Sequence, residues 1–317
     1  MEIIVSHLSA LAFWSHFTGN IASLRRIHCT TAATEPGRVT RELLNELSAL
    51  GFHPSAEHPI DLIYADQKRR HRSSMVRAHV SAASYPDGSF IRLSDHVLIV
   101  SPEMAFIQAG SLPYGSLLMT GCQFCGIYAL TGQKDDLAER PPLTSPTDIR
   151  AYLALCPDGI IGRRIRQAAN HLMDNAASPQ EARLALLLTL PHAQGGYALP
   201  EPTLNPPIPL GEAAYAIYGH SPCHPDLYWE GARLAVEYDG RDSHANRSDE
   251  DIARISALQV QGLKVITVNM RQLNDVGATR GIAEGISTHL GRHLHIRCRT
   301  FPERHARLRA ELGLMAL

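Results

Sequence analysis

Aromatic side chains are scarce in this sequence: Phe, Trp and Tyr make up 6% of 317 residues. Basic residues cluster at Lys68-Arg69-Arg70-His71-Arg72 and again across Arg292, Arg297, Arg299, Arg304, Arg307 and Arg309. Neither cluster carries enough interleaved aromatics for a base-stacking platform. Each is either a set of phosphate contacts or a solvated face. Charge of one sign is missing too. The formal net charge is −1, so no global field marks a nucleic-acid partner, and only local patches can argue for one. No uninterrupted apolar run approaches the length of a bilayer span, so no membrane partner is expected. The start, Met1-Glu2-Ile3-Ile4-Val5, lacks a basic region followed by a long apolar stretch, so a secretory signal is not expected either. The six cysteines (29, 122, 125, 156, 223 and 298) are scattered. That pattern suits reduced thiols in a cytoplasmic protein better than a disulfide framework. Cys122-Gln123-Phe124-Cys125 has CxxC spacing. No second Cys or His pair lies at zinc-finger spacing, so these read as isolated buried thiols. Internal repeats and low-complexity tracts are absent.

What remains is an ordinary globular composition, 44% hydrophobic and 19% charged, in a chain long enough for two cored domains. A short β-like run at 3–5 leads into a helix through Leu8, Leu11, Ala12 and Trp14. Leu43, Leu44, Leu47 and Leu50 recur at helical spacing until Gly51 stops the run. Residues 60–66 and 89–100 read as strands, and Ser101-Pro102-Glu103 opens another helix. The polar, proline-containing stretch 131–150 reads as a loop or linker, followed by a helix carrying Arg163, Arg164 and Arg166. Ser178-Pro179-Gln180-Glu181 is a capping box that opens a helix through Leu190. Two strand-like segments follow a Gly/Pro-rich passage at 195–211. Next come an amphipathic helix over 248–262 with Ile252, Ile255 and Leu258 inward, a buried strand at 264–268, and a helix from 277 to 292. This order predicts an α/β (α+β) chain: a C-terminal mixed sheet flanked by helices over 166–317, preceded by a smaller α+β domain over 1–165.

Three acids stand in the two strand-like segments: Asp226, Glu237 and Asp239. Acids at positions that should bury aliphatics suffer desolvation unless they hold a metal or reach solvent. Alternation over 234–239 puts Ala235, Glu237 and Asp239 on one face. If the hairpin turn centres on Glu230-Gly231, Ala235 lies opposite Asp226. Asp226 and Glu237 are then diagonal neighbours, roughly 7–8 Å apart. Two carboxylates so placed can converge on one Mg²⁺ (or Mn²⁺), leaving waters for chemistry. The register is the sensitive point, because a one-residue change in the turn breaks the arrangement.

Pro225-Asp226, ten residues, then Glu237-Tyr238-Asp239 resembles the core of the PD-(D/E)XK nucleases, and more closely the branch related to very-short-patch-repair endonucleases. The supporting motifs are Ser178-Pro179-Gln180-Glu181, Asp226-Leu227-Tyr228, Glu237-Tyr238-Asp239-Gly240 with His244, and Asp251, Arg254, Leu258 and Gly262 ahead of Val265-Ile266. They cover about residues 176–270. The resemblance implies a restriction-endonuclease-like domain in which Asp226 and Glu237 bind the metal and Glu181 approaches from its helix. Asp239 stands where that family carries a lysine, which would orient the attacking water and stabilise phosphate charge. His244 or Lys264 is then the substitute, or metal alone holds the water. More loosely, His79-Val80 with the extended segment to Val97, and Val100-Ser101-Pro102-Glu103-Met104-Ala105-Phe106, resemble the regulatory half of AbiEi-type abortive-infection antitoxins. Some members of that group carry a nuclease-like domain of this kind at the C-terminus.

Each site residue has a plainer reading. Glu181 is also the acid of a capping box, Asp226 a strand terminator, and Asp239-Gly240 a common turn pair. His244 is one of 17 histidines. Asp251 suits a helix N-terminus. Arg254 and Lys264 are either nucleic-acid contacts or solvated residues. The expected function is Mg²⁺-dependent phosphodiester hydrolysis on DNA in phage defence or repair. The alternative is a catalytically inactive DNA-binding regulator of type IV antitoxin character. DNA is the expected partner, and a homodimer or a toxin or defence-system partner is compatible with either reading.

Overall fold

A computed structural model describes residues 2–28, 40–66, 73–133, 136–157, 161–240 and 249–314. The chain is mixed α/β and falls into two compact units. One comprises Met1–Leu112 with Thr120–Leu172, the other Pro113–Met119 with Met173–Leu317. The N-terminal unit is slightly the larger by residue count, not the smaller as expected. His244 and the 68–72 basic cluster lie outside the described residues.

The N-terminal unit begins with β1 (Ile3–Val5), α1 (His7–His16), β2 (Arg25–Ile27) and α2 (Arg41–Ala49). β3 (Ile60–Tyr64), β4 (Val76–Val80), β5 (Phe90–Arg92), β6 (Val97–Val100) and α3 (Pro102–Gln108) follow. The strands form one mixed sheet in the order β2-β5-β6-β1-β3-β4. β1 sits at its centre, parallel to β6 and antiparallel to β3. Apolar runs such as Val97-Leu98-Ile99-Val100 are buried on both faces, as a central strand requires. Trp14 is fully buried and donates its indole N–H to the Val100 carbonyl at 2.8 Å. Ser101 caps α3, with Pro102 in its first turn. α4 (Tyr114–Cys125) buries both CxxC cysteines, neither of them in a disulfide. Residues 131–150 are not a linker: β7 (Tyr128–Leu130) pairs with β8 (Leu137–Glu139), and Ser145 caps α5 (Pro146–Leu155). α6 (Arg163–Ala169) ends this unit's helices.

The C-terminal unit comprises α7 (Pro179–Thr189), β9 (Thr203–Leu204), α8 (Glu212–Tyr218), β10 (Leu227–Trp229) and β11 (Leu234–Asp239). It continues with α9 (Asp249–Val260), β12 (Lys264–Asn269), α10 (Met270–Asn274), α11 (Val276–His289) and α12 (Phe301–Glu311). The sheet order is β12-β11-β10-β9. β9, β10 and β11 form an antiparallel meander, and β12 returns parallel to β11 through α9. Parallel pairing requires such a crossover, and the amphipathic α9 supplies it. Its inward residues are Ala257 and Leu258; Ile252 is exposed, against the expectation from spacing. Leu258 joins Cys223, Ala235 and Leu263 in a small core. β12 is an edge strand with only Val268 fully buried, not the buried strand expected from its apolar run. Within the arginine-rich C-terminal segment, Arg309 is structural: buried, it donates to the Leu273 carbonyl and the Thr279 hydroxyl. Among the described residues no helix is long and apolar enough to cross a membrane.

Candidate active site

The hairpin that carries the acids has a different register from the one expected. Trp229 pairs with Leu234, Tyr228 with Ala235, and Leu227 with Val236. The loop is therefore Glu230-Gly231-Ala232-Arg233, centred one residue later than Glu230-Gly231. Arg233 closes it in the left-handed region at φ 49°. Its guanidinium donates to the carbonyls of Gln261 and Gly262, tying the loop to the α9–β12 turn. Continuing the register one rung puts Asp226 directly opposite Glu237 rather than diagonal to it, about 5 Å apart at Cβ. Asp226 then uses Oδ2 to accept the Tyr238 amide at 2.6 Å, in place of a further ladder bond. It ends its strand and faces Glu237 at once.

Burial follows from that placement. β11 is covered on both faces, and Glu237 is 1% exposed. Its Oε2 lies 2.7 Å from Nη2 of Arg254, which reaches in from α9, and Nη1 of the same guanidinium is 3.9 Å from Oδ1 of Asp226. Among the described residues neither Glu237 oxygen makes a hydrogen bond of good geometry, although the Asp226 amide lies close enough to lower its pKa. Glu181 at the start of α7 is satisfied differently. It accepts the Ser178 hydroxyl on Oε1 at 2.7 Å, and the Ala177 amide (2.9 Å) and Asn205 Nδ2 (2.7 Å) on Oε2. Ser178 thus caps α7 by accepting the Glu181 amide. The Glu181 carboxylate returns to the Ala177 amide rather than that of Ser178, so the reciprocal capping box is not closed; Glu181 is instead part of the acidic cluster.

Electrostatics couple the three acids. Burial, then Glu181 and Glu237, push Asp226 well above the usual carboxylate range, while the Tyr238 amide and Arg254 oppose them. Burial lifts Glu237 to about 7; Arg254 pulls against it and Glu181 adds to it. Burial also raises Glu181, against its three hydrogen bonds. Burial works to lower Arg254, but Glu237 and Asp226 outweigh it and raise its pKa. Cys223 beside the cluster is pushed up to about 11, chiefly by burial, which keeps it an inert thiol. A cavity of about 170 Å³ opens onto the cluster. Glu237, Asp239, Asp251, Arg254 and Thr267 are among its walls.

No protein-family model, curated protein or solved structure matches the chain.

The structure thus brings Asp226, Glu237, Glu181 and Arg254 together and puts Asp239 on the cavity wall. Lys264 is excluded from the role considered for it. It pairs with Leu234, whereas Glu237 pairs with Thr267 three residues further on. Three rungs are about 10 Å, and alternation sends Lys264 to the opposite face of the sheet. Arg254 is no free phosphate contact, because its guanidinium is engaged by Glu237. Two members escaped the sequence reading. Asn205 donates to Glu181 and to the Asn175 carbonyl, and its amide donates to the Asp226 carbonyl, so it joins the helix to the strand. Its signal was the turn pair Asn205-Pro206 in a passage read only as loop. Thr267 is identified by strand pairing alone.

Among the described residues no three of His, Cys, Asp and Glu are arranged to hold one ion. Two carboxylates with water suffice for Mg²⁺. Oδ1 of Asp226 and Oε2 of Glu237 already face one cationic group. The donors are hard oxygens whose proton affinity is raised first by burial and then by the neighbouring carboxylates, a set that suits a divalent cation once Arg254 gives way.

Proposed function

We propose that the C-terminal unit is a Mg²⁺-dependent endonuclease-like phosphodiesterase acting on DNA. The N-terminal unit would then be the recognition or regulatory part, in phage defence or DNA repair. The observation that carries this reading is the buried pair Asp226 and Glu237, set opposite each other on a hairpin with both protonation equilibria raised. Structural acids are lowered by their partners; acids raised by burial and by one another mark functional sites. The order α7, β10, β11, α9, β12 also accords with the motif order that resembles the PD-(D/E)XK nucleases.

Asp226 and Glu237 would hold the metal, which would supply Lewis acidity and a lowered pKa for its bound water. Glu181 adds negative charge behind them and raises their affinity for a cation. Arg254, which balances the charge of the acids, would leave Glu237 when the metal binds and only then present its planar guanidinium to a phosphate. Asp239 and Thr267 line the entry and present polar groups to the substrate.

A second reading, a DNA-binding regulator without catalysis, draws support from one arrangement: Arg254 neutralises the acids while Asp239 stands at the usual lysine position. Incubating the full chain with supercoiled, linear and single-stranded DNA plus Mg²⁺ or Mn²⁺ separates the two. Cleavage by the wild type and loss of cleavage in Glu237→Ala is the expected result. Cleavage that survives Glu237→Ala refutes the site. No cleavage with retained, salt-sensitive DNA binding establishes the regulator.

A further inference from the structure

The N-terminal unit contains a cavity of about 690 Å³, a volume suited to a small organic ligand. One wall is aromatic. The rings of Phe13 and Phe52 stack at 5.3 Å and 16°, and Phe17 lies 5.6 Å from Phe13. Ser9, Asp61 and Arg77 form one polar group of the lining, and His16, His53, Glu57 and His58 line the cavity as well. Asp61 is 2% exposed and saturated. Its Oδ2 accepts the Ser9 amide (3.2 Å) and hydroxyl (3.1 Å); its Oδ1 accepts His79 Nε2 (2.8 Å) and Arg77 Nη1 (3.4 Å). A carboxylate so occupied has no acceptor left for a ligand; what it does is fix Arg77. The Arg77 side chain is half exposed, and the rest of its fork makes no hydrogen bond among the described residues.

The support behind this end is strained. His7 adopts φ 48°, in the left-handed region. Its amide donates to Gln108 Oε1 at 2.7 Å, and its ring stacks on His79 at 3.5 Å and 11°. A bulky residue held in that conformation by its surroundings is characteristic of ligand clamps.

We propose that this cavity binds a small molecule with a flat heteroaromatic ring and one anionic group, the chemistry of a nucleoside monophosphate. The ring stacks in the Phe13–Phe52 wall and the anion pairs with the free side of Arg77. The site is separate from the acidic cluster of the C-terminal unit and does not depend on the function proposed there.

Titration calorimetry on the full chain tests it with AMP and dTMP, with adenosine as the ring lacking the anion, and with inorganic phosphate as the anion lacking the ring. Saturable binding of a mononucleotide is expected, at least tenfold tighter than adenosine or phosphate. Arg77→Gln and Phe13→Leu should each weaken it at least tenfold. Arg77 lies on the edge strand β4, so its replacement leaves the core intact, and Phe17→Leu replaces Phe13→Leu if that variant unfolds. The proposal is overturned by no saturable binding at millimolar nucleotide, by phosphate binding as tightly as nucleotide, or by undiminished affinity in the Arg77 and phenylalanine variants.

Discussion

Replacing Glu237 by Gln should make the protein more stable at pH 8, although it removes one side of an ion pair. Folded, Glu237 holds its proton up to about pH 7. Unfolded, it releases that proton near its ordinary 4.5. The folded state therefore binds more protons between these values, and stability falls as the pH rises through the window. The difference in proton affinity corresponds to about 3 kcal/mol at pH 8, vanishing below about pH 4. Gln resembles the protonated acid in shape and charge, so Glu237→Gln should gain most of that amount at pH 8 and almost nothing at pH 4.5. Urea unfolding at the two pH values measures it, with Trp229 of β10 reporting on the C-terminal unit. A Gln variant less stable than wild type at pH 8 would refute the reasoning. Glu237 would then be a structural partner of Arg254, its burial more than offset by the 2.7 Å contact. The expected sign is that of a site that gives up stability for function.

Two further outcomes test the scaffold. A Cβ on Gly196 would lie 2.1 Å from the carbonyl oxygen of Leu190, the C-cap residue of α7. Gly196→Ala should therefore cost about 1–3 kcal/mol in chemical denaturation, with α7 and Glu181 displaced. In the N-terminal unit, burial raises Asp61, but hydrogen bonds from His79 and Ser9 and the charges of His79 and Arg77 outweigh it, so its pKa is lowered. Its contribution is present above the ordinary Asp pKa and is lost as pH falls through the folded value. Asp61→Asn should lower stability by about 1–3 kcal/mol at pH 7, with the deficit shrinking in acid, as thermal unfolding across pH would show.

The amino-acid sequence alone determined most elements and the identity of the acids. Capping residues Ser101 and Ser178 with their following prolines opened helices where local hydrogen bonding demands them. Alternation around Glu237 marked an acid where an aliphatic belongs. Such signals are local, set by backbone geometry within one turn or one strand. Register is not local. It depended on how Arg233 closes a four-residue loop against the α9–β12 turn, and it moved Asp226 from a diagonal to a facing position. The partner of the acids was likewise a matter of tertiary structure. Only the crossover through α9 brings Arg254 onto Glu237, and only the parallel pairing of β12 turns Lys264 away. The Asp61 network joins residues more than fifty positions apart, and no sequence spacing announces it. The chemistry of each side chain was legible in the chain; which chemistries meet was decided by the packing of the sheets.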